Sequence, residues 1–230
     1  MEQFWDERAK EDAPYYVDNL LEYGQADMDR FWAGGERVVD QILKRLEVEL
    51  RPGDEVVEVG AGLGRLTRVL AERASRVWAF DISSEMLRQA RELNEQLDNV
   101  EWIHGDGTTL QPVEDGAASV CFSFVVFQHV PDPSITLGYV REMGRVLRSG
   151  GWGAFQVSND PSVHKPRDPS LGSRIKAAFR RGPRGQSHPA WLGSAVDLEE
   201  LRRVADLAGM DVERVDGAGT QFCLVLLRRR

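Results

Sequence analysis

Apolar positions change period near residue 50. Through residues 1–50, Phe4, Trp5, Tyr15, Tyr16, Leu20 and Leu21 sit among mixed charges, and Val38, Val39, Ile42, Leu43 and Leu46 then recur at helical spacing. This pattern predicts amphipathic helices. Arg51-Pro52-Gly53-Asp54 breaks it, and short apolar runs then alternate with helical ones. Strands are expected at 55–60, 76–81, 99–104, 118–127 and 152–157, and helices at 65–74, 83–97 and about 134–148. Ser83 is placed to cap its helix with Glu85 in the first turn, and Asp197 to cap a helix over 198–208 that Gly209 closes. Runs at 211–215 and 221–227 flank Asp216-Gly217-Ala218-Gly219, a hairpin signal that turns the last strand antiparallel. Strands alternating with helices imply an α/β fold, with a mostly parallel sheet covered on both faces.

One segment differs in composition. Between Pro161 and Ala190 lie Lys165, Arg167, Arg174, Lys176, Arg180, Arg181 and Arg184 against the single acid Asp168. It reads as a basic insertion, helical around Leu171–Phe179, in a chain whose net charge is -8. The acidic total gives no global pull towards nucleic acid or an anionic membrane. Both cysteines, Cys121 and Cys223, fall in strand-like apolar runs and read as core residues, not as metal ligands or a disulfide. The charged start MEQFWDERAKEDAPYY does not resemble a signal sequence, and no run approaches the ~20 apolar residues of a membrane span. A cytoplasmic location is expected; the oligomeric state is open.

The chemistry gathers at the strand ends. Gly60-Ala61-Gly62-Leu63-Gly64 follows the first strand, with Glu58 just before it. Glycines at alternate positions mark close backbone approach or positive φ. A dinucleotide turn would carry its third glycine where this chain has Arg65, so the spacing suits a ligand without a diphosphate, and a nearby acid tolerates a cationic one. Asp81 ends the second strand 21 positions after Gly60, where a carboxylate can reach both hydroxyls of a ribose. Asp106, between Gly105 and Gly107, can accept from a purine amine.

In this order and spacing, Glu58-x-Gly60-x-Gly62-x-Gly64, Asp81, Asp106-Gly107 and Leu147-Arg148-Ser149-Gly150-Gly151 resemble the class I methyltransferases that use S-adenosylmethionine. Phe127-Gln128-His129-Val130-Pro131-Asp132 is similar to the fourth-strand end of their small-molecule, type 11 branch. The resemblance covers about residues 50–158 closely and 195–229 by topology and implies a Rossmann-like, doubly wound sheet of seven strands with the last antiparallel. With the basic insertion at 161–190 this makes a domain of residues 51–230, and the helical first 50 residues, 1–50, which no motif of the family matches, read as an N-terminal helical cap. The resemblance also implies S-adenosylmethionine as cofactor. The glycine turn with Ala61 would face its methionine part and Asp81 the ribose. Ile82 would pack on the adenine and Asp106 bind the adenine amine, with Met86, Phe124 and Gln128 completing the pocket.

The expected reaction is methyl transfer to a small-molecule acceptor, in line with the sulfonium. His129, at the carboxyl edge of the sheet, is the candidate base, and it and the pair Tyr15 and Tyr16 are candidate acceptor contacts. Two other readings stay open: a protein that binds the cofactor without methyl transfer, and a nucleic-acid methyltransferase. The latter rests on the basic insertion alone and lacks the Asn/Asp-Pro-Pro-aromatic signature of base-flipping amino methyltransferases.

Overall fold

The computed structural model describes residues 1–165 and 185–230; the helix expected over Leu171–Phe179 lies outside them. β1 (Glu55–Val59) and β4 (Ala118–Ser123) are buried almost end to end, as central parallel strands are when helices cover both faces. With β2 (Arg76–Asp81), β3 (Val100–His104), β5 (Leu147–Val157), β6 (Met210–Asp216) and β7 (Cys223–Arg229) they form a seven-stranded sheet in the order β3-β2-β1-β4-β5-β7-β6. β7 runs antiparallel to both neighbours, as the hairpin signal predicts.

Successive residues of each strand face opposite layers. Val56, Val77, Phe122 and Ala154 pack with Val39 and Ile42 of α2 (Met28–Leu46) and Leu70 of α3 (Thr67–Arg73). Val57, Phe80, Cys121 and Phe155 pack with Leu137 and Met143 of α5 (Pro133–Val146) and Leu201 of α6 (Leu198–Leu207). α4 (Ser84–Leu93) lies against β2 and β3. The expected caps form: the Ser83 hydroxyl accepts from Met86 N–H at 3.1 Å, and Asp197 from Glu200 N–H at 2.9 Å. Cys121 and Cys223 are buried and unpaired.

α1 (Glu2–Val17) crosses the carboxyl ends of the strands. It kinks at Asp12, two residues before Pro14, whose ring removes a helix donor. The Asp12 carboxylate accepts from Tyr15 N–H and Gly24 N–H, fixing the bend. Asp6 fastens the helix to α4, accepting from the Ser83 hydroxyl at 2.6 Å and from Glu85 N–H at 3.1 Å. Tyr16, Leu21, Phe31, Leu63 and Met86 form a separate buried cluster beneath it. α2, by contrast, belongs to the sheet's own helical layer.

Three boundaries differ by four residues or more from those expected. α4 ends at Leu93 instead of running to 97. β4 stops at Ser123 instead of continuing to Phe127, because Val125 takes φ +59 and its N–H donates sideways to Gln156 Oε1 at 3.0 Å. A β-branched residue is rarely found there, and the strain, about 1–3 kcal/mol, sits at the edge of the cavity described below. β5 begins at Leu147, earlier than residue 152, because a register shift against β4 absorbs the residues around Gly150-Gly151 that read as a break.

Candidate cofactor and acceptor site

Strand order reverses between β1 and β4, and ligands of open α/β sheets bind in the crevice at such a point. A cavity opens there, walled by the glycine turn, the ends of β2 and β4, and α1.

The backbone comes first. Gly60, Gly62 and Gly107 have φ of +82, +55 and +80 and line this cavity. A Cβ on Gly60 would lie 2.9 Å from Val126 Cγ1, on Gly62 2.9 Å from Val17 Cγ2, and on Gly107 2.8 Å from Ile82 Cδ1. Gly60 and Ala61 N–H both donate to Phe80 O at 2.8 Å, tying the turn to β2. Gly64 faces away: its Cβ would meet Trp102 and Asn94, so that glycine serves packing between turn and helix.

Acids then set the electrostatics. Asp81 lines the cavity, one oxygen accepting from Gly62 N–H at 2.7 Å and the other from Ser83 N–H at 2.8 Å. Burial lifts its carboxyl above the ordinary range against the pull of those N–H groups. Glu58 lies behind the turn, 1% exposed, accepting from the Thr67 hydroxyl at 2.6 Å. Burial, and next the Asp81 charge, push it up to about 7, while Thr67 and Arg65 pull it down. The Asp106 carboxylate is exposed and folded back on its own loop, accepting from Thr108 N–H and Thr109 N–H at 2.7 Å each. Its flanking glycines, Gly105 and Gly107, reach the cavity wall. Ile82, Met86, Phe80 and Phe124 give that end an apolar slot.

Across from the glycine turn stands an aromatic wall. Trp5, Tyr16 and His129 line the cavity, and Trp191 backs them, its ring centroid 5.3 Å from His129 and 5.8 Å from Tyr16. Tyr15 stands one layer out, edge-on to Tyr16 and Tyr23. The Trp191 carbonyl can only accept, so the His129 Nδ1 facing it at 2.8 Å carries the proton. That leaves Nε2 accepting from Gln128 Nε2 at 3.1 Å, and Gln156 in turn donates to Gln128 Oε1 at 3.1 Å. Gln128 therefore orients His129 from behind instead of facing the cavity. Burial drops His129 to about 4, so the ring is neutral near pH 7. His164 is half-buried and bridges Leu192 O and Ser158 Oγ. His188 is exposed and stacks on Phe4 at 4.4 Å.

Trp5, Arg65, Val126 and Tyr139 also line the cavity. Arg65 alone carried a signal in the sequence, as the residue standing in for a third glycine.

Residues 57–155 match the family model described as a methyltransferase domain, type 11. Trans-aconitate 2-methyltransferase of Azoarcus is 37% identical over 186 residues, covering 75% of this chain and 70% of that protein. The chain belongs to the class I S-adenosylmethionine-dependent methyltransferases. Malonyl-[acyl-carrier protein] O-methyltransferase of Geobacter sulfurreducens is 30% identical, covering 74% of this chain and 61% of its own length. A Haloferax volcanii methyltransferase solved in complex with the Trm112 activator has the same fold, with TM-score 0.67 and 20% identity over 97% of this chain and 96% of that one. The chain spans only 30, 42 and 61% of the first curated relatives it matches. Positive-φ glycines, a carboxylate at the end of β2 and an apolar slot fit the family's cofactor, a nucleoside bearing a sulfonium and an amino-acid tail. Among the described residues no helix is long and apolar enough to cross a membrane, and no cluster of His, Cys, Asp and Glu could hold a metal ion.

Proposed function

We propose that this methyltransferase methylates a small-molecule acceptor bound between α1 and the turn at residues 124–130. The supporting observation is one cavity with two unlike walls, the glycine turn with Asp81 on one side and Trp5, Tyr16 and His129 on the other. S-adenosylmethionine, when bound, supplies an electrophilic methyl group. The chain's residues have to hold, align and exclude water.

In this reading Asp81 binds the ribose hydroxyls, and Ile82, Met86 and Phe124 sandwich the adenine. Asp106, or the Gly105–Gly107 backbone it shapes, meets the adenine amine. Glu58 acts from behind the turn. α1 closes over the acceptor, and Gly185 and His188, at the described end of the insertion, reach it at Phe4, consistent with that. His129, its Nδ1 and Nε2 engaged by Trp191 O and Gln128 Nε2, faces the acceptor as a neutral ring of the aromatic wall. With a conjugate acid near 4 it takes a proton efficiently only from an acidic nucleophile, so orientation is its larger contribution. Relatives named for trans-aconitate, malonyl-carrier and ubiquinone-pathway acceptors support a small or carrier-bound substrate, while one is named for ribosomal RNA.

The test is mass spectrometry of metabolite pools and of RNA incubated with the protein and methyl-labelled cofactor. A small molecule gaining one methyl in step with S-adenosylhomocysteine release is expected. Label in RNA alone, or cofactor binding without turnover, overturns the proposal.

A further inference from the structure

Beyond the glycine turn and the apolar slot, the cavity is lined by Trp5, Tyr16, Phe127 and His129 with Val126 and Val130. Trp5 meets His129 at 5.5 Å and 74°, Tyr16 meets Trp191 at 5.8 Å and 90°, and Trp191 tilts by 40° against both Trp5 and His129. Rings crossed at such angles make a rounded enclosure, not the flat slot in which a planar acceptor would stack.

This wall carries no charge. Of the charged side chains among the described residues, only Asp81 and Arg65 line the cavity, and both belong to the cofactor side. Asp81 is held by Gly62 N–H and Ser83 N–H, and Arg65 follows the glycine turn and pairs with Asp18. A carboxylate or phosphate acceptor would lie against rings with no cation to pair it, a costly burial.

The wall also lacks a base. His129 has Nδ1 on Trp191 O and Nε2 on Gln128 Nε2, and burial holds it near 4. Burial, helped by the Asp106 and Asp81 charges, holds the Tyr139 phenol above its ordinary range. A hydroxyl acceptor would have nowhere on these residues to send its proton. A tertiary amine needs neither cation nor base, because it brings a lone pair and has no proton to lose.

We propose that the acceptor is a tertiary amine and the product a quaternary ammonium ion, held by the rings of Trp5 and Tyr16. This rests on the small-molecule methyltransferase reading above. The amine's lone pair forms the new N–C bond, the C–S bond breaks with its electrons left on sulfur, and one positive charge passes from sulfur to nitrogen. No proton is released. Charge thus arrives where ring faces attract it, so the wall stabilises the transition state more than the uncharged amine.

Calorimetry on the protein saturated with S-adenosylhomocysteine tests this with three probes of similar shape. They are choline, 3,3-dimethylbutan-1-ol and 3,3-dimethylbutyrate, which carry a quaternary nitrogen, an uncharged carbon in its place, and a carboxylate. Choline is expected to bind roughly tenfold tighter than the alcohol, with the carboxylate weakest. Trp5→Leu should cut the preference for choline to about threefold or less while S-adenosylhomocysteine affinity stays within about threefold. If Trp5→Leu does not fold, Trp5→Phe, which keeps a smaller ring, should give a reduced preference. No preference for the cation in the parent, or an undiminished one in a folded Trp5 variant, overturns the proposal. So does a labelled product that carries its new methyl on oxygen or carbon. Label in RNA alone, or in no small molecule, refutes the methyltransferase reading instead, whatever the probes do, so the two failures are distinguishable.

Discussion

Gly60→Ala probes whether the glycine turn is shaped by need. Alanine at φ +82 costs about 1–2 kcal/mol from its Cβ alone. The new Cβ would also lie 2.9 Å from Val126 Cγ1 and nearer still to Cγ2, so the valine has to shift, adding about 1–3 kcal/mol of overpacking. Together these predict destabilisation of about 2–5 kcal/mol, a fall in Tm of roughly 5–15 °C for a chain of this size. Val126 lines the cavity, so its displacement should weaken S-adenosylhomocysteine binding at least tenfold. Adding Val126→Ala removes the overlap but not the backbone strain. The double variant should therefore recover about 1 kcal/mol or more over additivity by thermal melts, and part of the affinity by calorimetry. A Gly60→Ala protein within about 0.5 kcal/mol of the parent, with unchanged affinity, would refute the geometry.

Asp81→Ala leaves Gly62 and Ser83 N–H without acceptors and should cut S-adenosylhomocysteine affinity at least tenfold by calorimetry; unchanged affinity in a folded variant removes its ribose role. Glu58 binds more protons folded than unfolded between its ordinary 4.5 and about 7, so stability should decline as pH rises through that window and level off above it. Glu58→Gln should flatten that decline in melts from pH 5 to 8, and an equally steep slope in the variant contradicts the assignment. For His129, depressed from 6.5 to about 4, the acid limb of kcat should fall near 4, with turnover unchanged between pH 6 and 7; a limb near 6.5 would mean that the ring titrates freely.

Where local chemistry and tertiary demand agree, the sequence is readable. Ser83 and Asp197 cap because a short oxygen before a helical run meets the free N–H groups whatever packs nearby, and both caps form. The alternation of runs marks the strands because the central ones bury both faces. The end of β4 is different. Phe124, Val125 and Val126 are apolar and β-prone, and only Gln156 on the neighbouring strand, reaching Val125 N–H, turns them out of the ladder. Glycine periodicity likewise does not say which glycine faces a ligand: Gly60 and Gly62 meet the cavity, Gly64 meets Trp102. The aromatic wall was half visible. Tyr16 and His129 were legible as polar aromatics near the site, whereas Trp5 and Trp191 join them from segments more than a hundred residues apart, a pairing that no local pattern encodes.

The place of β7 has a consequence for how such a chain is made. Residues 223–229 come after every other strand in sequence, yet they lie inside the sheet, between β5 and β6. During synthesis β6 leaves the ribosome with no neighbour to pair with, and β5 waits with one edge of its backbone unsatisfied until the final strand arrives. Assembly of this half of the sheet therefore waits for β7 and depends on β5–β7 contacts distant in sequence, the slow kind. A chain cut before residue 223 would not lose a fringe. It would expose two strand edges, with Leu224, Val225, Leu226 and Leu227 missing from both hydrophobic layers, and aggregation rather than partial function is the outcome to expect.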